Sequence, residues 1–144
     1  MGYNKNTMPD HSAGFHEIDH TADWEIEVWA PDWVSLLEQA ARGMYSLSAT
    51  RLKPTPRLTV PLSLQAYDRE SLLVKFLGEL LYLSSIQGLG FDTFNLHVTD
   101  NTLQAQLQGA PLEFQSKEIK AVTYHNLAIR QTTLGLAVNI VFDV

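Results

Sequence analysis

Five residues near the start of the chain, Asp19-His20-Thr21-Ala22-Asp23, set two carboxylates, an imidazole and a hydroxyl directly before the run WEIEVWA (24–30). A further acid, Asp143, closes the apolar run AVNIVFDV one residue before Val144. A short acidic turn does one of two kinds of work. Its Asp side chains accept hydrogen bonds from nearby backbone N–H groups and fix the turn, or they offer hard oxygen ligands to a cation such as Ca²⁺ or Mg²⁺. From the first segment alone both readings stand. The far end bears on the choice. If the last strand lies antiparallel beside 24–30, its end meets the start of that strand. Asp23, Asp143 and, where the natural chain stops at Val144, a free carboxylate then become neighbours. Acids crowded together repel, and a divalent cation relieves that repulsion. The alternative is that the two aspartates simply solvate strand ends.

Other polar residues suggest less specific chemistry. Asp68, Lys75 and Glu79 fall within about 40° of one another on a helical wheel and form one polar ridge. Such a ridge is either a solvated helix face or a partner surface. Lys75 and Glu79 are spaced i, i+4, and such a pair is worth only ~0.2–0.5 kcal/mol. Tyr82 lies one step round the same face, and an exposed tyrosine beside charges suits an interface. In SKEIKAVTYHNLAI (116–129) Lys120, Val122 and Tyr124 alternate with Ile119, Ala121, Thr123 and His125. Lys120 either offsets the acidic residues or is a plain surface lysine. His125 reads as a hydrogen-bonded core histidine rather than a metal ligand.

The elements that must position these groups follow from periodicity. WEIEVWA alternates as a half-buried strand. Pro31 breaks it, and Asp32 caps a helix over 33–48. RLKPTPR (51–57) is a loop, because its prolines disfavour helix and central strand. LTVPLSLQAY (58–67) alternates again, with Pro61 placing it at an edge or bulge. Asp68 caps a second helix over 69–86, which GLG (88–90) stops. Strands follow at 91–99, 102–108, a short 112–116, 119–129 and 134–142, with turns at TDNT, QGAP and RQTT. The order β-α-β-α-β-β-β-β predicts an α+β fold: a largely antiparallel sheet with two helices packed on one face. Residues 1–14 read as a polar, flexible tail and 15–144 as one domain.

Composition narrows the function. With 144 residues, 45% of them hydrophobic and 18% charged, the chain has the make-up of a single globular domain. Ten Lys and Arg against sixteen Asp and Glu give a net charge of −6, which opposes broad binding to phosphate backbones. DNA is not an expected partner, and any RNA is expected to be held by a partner protein. No cysteine is present, which removes thiol catalysis, disulfides and Cys-based zinc sites and suits a cytoplasmic setting. No apolar run approaches the ~20 residues a membrane helix needs, and the N-terminus lacks the apolar centre of a secretory signal. No P-loop, GxGxxG, GxSxG or HExxH appears. No nucleophile stands beside a base, so no catalytic residue is assigned and a metal-holding binding module is favoured over an enzyme.

Four motifs give these readings a family context. FHEIDHTAD (15–23), ELLYL (79–83), KAVTYH (120–125) and the terminal FDV (142–144) resemble the archease family, in that family's order and spacing, over about 15–144. The resemblance implies a small α+β protein that is not itself an enzyme. It implies a cofactor that activates an RtcB-type RNA ligase in tRNA splicing or RNA repair, by promoting guanylylation of that ligase and its multiple turnover. It also implies a bound divalent cation, calcium in crystals with Mg²⁺ or Mn²⁺ as cellular options, held here by Asp23, Asp143 and Val144. Glu79 and Lys120 correspond to residues tied to activity. Asp68 and His20 join them in the expected activation and partner-binding set, with Glu70 also close by in sequence. Contact with tRNA would run through the ligase. Trp24 stands where a small or aliphatic residue is common, so the approach of a partner there is expected to differ. Two other classes remain: a chaperone-like modulator of another RNA-modifying enzyme, such as a tRNA methyltransferase, and a small metal-dependent hydrolase.

Overall fold

The computed structural model describes residues 12–19 and 24–144. Two aspartates start its helices. Helix α1 (Trp33–Leu47) opens where the Asp32 carboxylate accepts the Ser35 N–H at 2.8 Å, and α2 (Arg69–Gln87) opens where Asp68 accepts that of Ser71 at 2.8 Å. Each bond satisfies one of the donors that a helix N-terminus leaves without an intrahelical partner. The sequence places both caps and both helices correctly, to within a residue at the far ends. Helix α2 stops at Gly88, whose φ of 65° is the left-handed conformation that costs glycine least.

Around the helices run strands β1 (Gly14–Ile18), β2 (Trp24–Ala30), β3 (Arg51–Leu52), β4 (Leu58–Gln65), β5 (Leu89–Thr99), β6 (Thr102–Phe114), β7 (Ala121–Val122), β8 (Arg130–Thr132) and β9 (Gly135–Asp143). The fold is α+β, and every strand pair is antiparallel. The strands divide between two sheets. One has the order β1-β2-β9-β7, with β8 also on β9; the other has β3 and β4 along one edge of β6 and β5 along the opposite edge. The helices knit the two sheets together. Helix α1 packs on β1, β2 and β9 and also on β5, while α2 packs on β7 and on β4, β5 and β6. Their buried stripes, Leu36, Leu37, Ala40 and Met44 on α1 and Leu73, Phe76, Leu77 and Leu80 on α2, meet Ile26, Val28, Leu103, Leu107 and Ile140 in one core. Among the described residues no helix is long and apolar enough to cross a membrane.

Alternation works as expected where a sheet has a wet face. In β4, Leu58, Val60, Leu62 and Leu64 turn inward and Thr59, Pro61, Ser63 and Gln65 outward. Pro61 is tolerated because β4 pairs with β6 alone and its other edge is free of strands. On β2 the outward Glu27 pairs with His16 at 2.9 Å and with Arg130 at 3.3 Å, and Glu25 accepts a bond from Asn139 at 2.8 Å. Cross-strand polar pairs of this kind hold register while leaving the face hydrated.

Three local expectations differ from the structure. Gly14–Ile18 is a strand, paired to β2 along its whole length, although five residues of mixed pattern carry little periodicity. QGAP (108–111) does not turn: β6 runs straight through it from Thr102 to Phe114. The chain shifts register there against Phe91–Thr93, and Gly109 lies so close to the Gly90 carbonyl that no Cβ fits. Glycine marks a close backbone approach here and not a reversal. Finally, 119–129 is strand only at Ala121–Val122. Beyond it Leu127 N–H bonds back to the Tyr124 carbonyl at 3.1 Å, and Asn126 takes a φ of 52°.

Candidate functional site

The end of β9 gathers several of the singled-out residues. Phe142, fully buried, pairs with Trp24 of β2 on one side and Val122 of β7 on the other. The following residue, Asp143, is exposed and sits opposite Ala121. The Lys120 N–H donates to the Asp143 carbonyl at 2.8 Å, and the N–H and hydroxyl of Thr123 both donate to the Val141 carbonyl at 3.0 Å. These three bonds strap the segment 120–123 to the last strand and hold exposed Lys120 beside Asp143. Val144 is half-buried and packs against the core.

The same sheet end receives the β1–β2 connection. Ile18 pairs with Glu25 and Phe142 with Trp24, so exposed Asp19 and Asp143 and half-buried Trp24 all stand at one end of the sheet. The last strand pairs antiparallel with 24–30, which meets the condition on which the sequence brings Asp143 to the start of that strand. His20, Thr21, Ala22 and Asp23 lie outside the described residues. Among the described residues no group of three His, Asp or Glu is placed to hold a metal. Asp143 nevertheless has the chemistry of a hard-cation ligand: its side chain is exposed and makes no ion pair with another described residue. Lys117 adds a cation that sequence reasoning missed. Its Nζ lies 5.6 Å from the centre of the Trp24 ring, within range of a cation–π contact. Only a pairing across about ninety residues of chain could have revealed it, and neither residue carries a local signal of the other.

The polar ridge of α2 separates into different jobs. Asp68 is the helix cap, and bonds from the backbone N–H and then the hydroxyl of Ser71 hold its carboxyl below the usual range. Lys75 reaches the Gln65 carbonyl at 2.6 Å and forms no ion pair with Glu79. Glu70 accepts the Ile129 N–H at 3.0 Å and so ties the 123–129 loop to the start of α2. Glu79 is half-buried and has no such structural partner among the described residues. Its sequence neighbour Gly78 lines a groove together with Lys120, because the 118–122 segment lies along α2. His125 is not a core residue as expected; it is exposed, with its ring Nε2 3.3 Å from the Asn126 amide. The turn that follows β7 lifts it out of the alternation that would have buried it.

Comparison with known proteins covers the whole fold. The family model described as "Archease protein family (MTH1598/TM1083)" matches residues 15–144. The chain is 30% identical to the protein archease of Methanosarcina barkeri over 95% of its own length and all of that protein. It is also 30% identical to that of Pyrococcus furiosus, over 84% of this chain and 91% of the other. Among solved structures, an archease from Thermotoga maritima described as a possible chaperone superposes with a TM-score of 0.67 at 22% identity, covering 99% of this chain and all of the other. Protein 1598 of Methanobacterium thermoautotrophicum gives 0.65 at 24% identity, over 91% and 99%. At those identities the two structures speak for the fold alone.

Proposed function

This chain belongs to the archease family, and from that membership we propose that it is a non-catalytic protein cofactor of an RtcB-type RNA ligase. In this reading it promotes guanylylation of the ligase and its repeated turnover, in tRNA splicing or RNA repair, through a divalent cation held by Asp23, Asp143 and Val144. The observation that supports it is the register of β9 on β2. Phe142 faces Trp24, so Asp143 emerges at the sheet end to which the HTAD segment is covalently joined. A bound cation would neutralise the gathered carboxylates and present positive charge to an anionic group on the partner.

The residues of this chain supply the rest. The bond from the Lys120 N–H to the Asp143 carbonyl holds Lys120 beside Asp143, and its ammonium can meet a ligase carboxylate or a nucleotide phosphate. Glu79, half-buried and without a hydrogen bond or ion pair to another described residue, offers a negative contact on α2. Lys117 covers one face of Trp24 and shapes what approaches that ring. If the protein acts only on the ligase's conformational balance, roughly 5.5 kcal/mol of differential affinity turns a 1:99 population into 99:1.

A ligation assay at limiting ligase tests this. Asp143→Ala and Asp23→Ala are each expected to abolish stimulation while melting close to wild type; Asp143 is exposed and contributes little to the core. Calcium titrated calorimetrically should bind the wild type and not Asp143→Ala. Normal stimulation by both variants would overturn the proposal.

A further inference from the structure

We propose that the groove between α2 and the 118–122 segment is a second protein-docking site, and that it takes a partner segment carrying a basic side chain next to apolar ones. The groove encloses about 410 Å³. Val74, Leu81, Ile119 and Val122 make its walls apolar, and at Gly78 an added Cβ would meet nothing within 4 Å. Two large apolar side chains at its rim stay in water: Tyr82 is 53% exposed and Ile86 64%. Exposed aromatic and aliphatic groups gathered beside an open apolar channel mark interaction surfaces more often than inert ones.

Charge decides the occupant. An adjoining cavity of about 280 Å³ lies between the last turns of the two helices, lined by Met44 and Tyr45 of α1, the following Ser48, and Ser84 and Ser85 of α2. Neither helix has a basic residue in its last turn, so no cationic side chain there offsets the negative end of either helix dipole. Glu118 lines both cavities, is exposed, and has no ion-pair partner among the described residues. This end of the groove therefore attracts a cation and repels a phosphate backbone. Lys120, two residues along the same strip, repels a second cation and so sets the direction in which a segment lies. The complement is an arginine or lysine at the Glu118 end, followed by apolar side chains over Gly78. The groove borders the carboxylate tip at Lys120, which belongs to both, and it rests on the proposed function only for the identity of the partner.

The isotope-labelled protein is titrated with two acetylated, amidated amphipathic helical peptides that differ only in one position, Arg or Glu, beside a leucine stripe. The Arg peptide should shift resonances of 74–86 and 118–122 and bind at least about tenfold more tightly than the Glu peptide. Glu118→Lys should reverse that preference. Gly78→Leu, which fills the groove with a residue of better helix propensity, should weaken both while leaving the fold intact. No perturbation of the groove, equal binding of the two peptides, or an unchanged preference in Glu118→Lys would overturn the proposal. The same Gly78→Leu protein is then assayed with the ligase. If wild type fails to stimulate ligation, the proposed function fails while the peptide result stands by itself. If wild type stimulates and Gly78→Leu does so equally, the groove is not where the ligase docks.

Discussion

Individual carboxylates in this protein differ by whether another residue engages them. Asp92 accepts both prongs of the Arg57 guanidinium, at 3.0 and 2.7 Å, and that bond above all holds its carboxyl below the usual range. Asp68 is lowered by its capping bonds to Ser71. A carboxyl whose folded pKa is depressed adds stability that is fully present above its unfolded value, ~3.9 for Asp. That contribution is lost as pH falls through the lower, folded value. The melting temperature should therefore be flat near neutrality and fall on acidification below about pH 4. Asp92→Asn should start lower and show a shallower fall, as differential scanning fluorimetry across pH would show. The effect of this pair will be small, since both partners are about half exposed. Among the described residues Asp143 and Glu79 have no comparable engagement, which is why removing them is expected to affect a partner more than the fold.

Between elements, single bonds decide where loops go. The chain after β7 has almost no ladder of its own, and the carboxylate of Glu70 fixes its far end through the Ile129 N–H. Glu70→Ala leaves that half-buried donor without its partner and should cost ~1–3 kcal/mol, measurable as a lower urea midpoint. Glu70→Gln, which keeps an acceptor, should recover most of the loss. Since the same loop runs from the Lys120 strap, Glu70→Ala is also expected to reduce ligase stimulation in part. The family motifs singled out Lys120 and Glu79 for an expected role but gave none to Glu70, because a carboxylate two residues into a helix looks like ordinary first-turn charge. The groove residues Glu118 and Ile119 were equally hidden: their significance comes from α2 lying alongside, and nothing local announces it.

At the scale of the whole molecule, β9 is the member on which the candidate site depends. It pairs with β2, β7 and β8, and Phe142 plugs the core between Trp24 and Val122. Phe142→Ala should cost ~3–5 kcal/mol and loosen both neighbours at once. Hydrogen exchange should report this as faster amide exchange in 24–26 and 120–123 before the β4–β5–β6 sheet opens, because that sheet makes no ladder contact with β9.

The amino-acid sequence by itself determined the local features: two helices and their caps, the alternating strands, the α+β class, and four motifs whose order marks the family. Periods of 3.6 and 2, and the capping chemistry of Asp32 and Asp68, act over a few residues and are legible one segment at a time. Tertiary structure decided the rest. It split the strands into two sheets, turned QGAP into a close strand crossing, lifted His125 to the surface, and laid 118–122 along α2. It also set the last strand against the second, in the register that puts Asp143 at the same end as Asp19 and Trp24. Those outcomes depend on contacts between residues tens to more than a hundred positions apart. Their energy is gained only once the core closes, and no short window of sequence contains it.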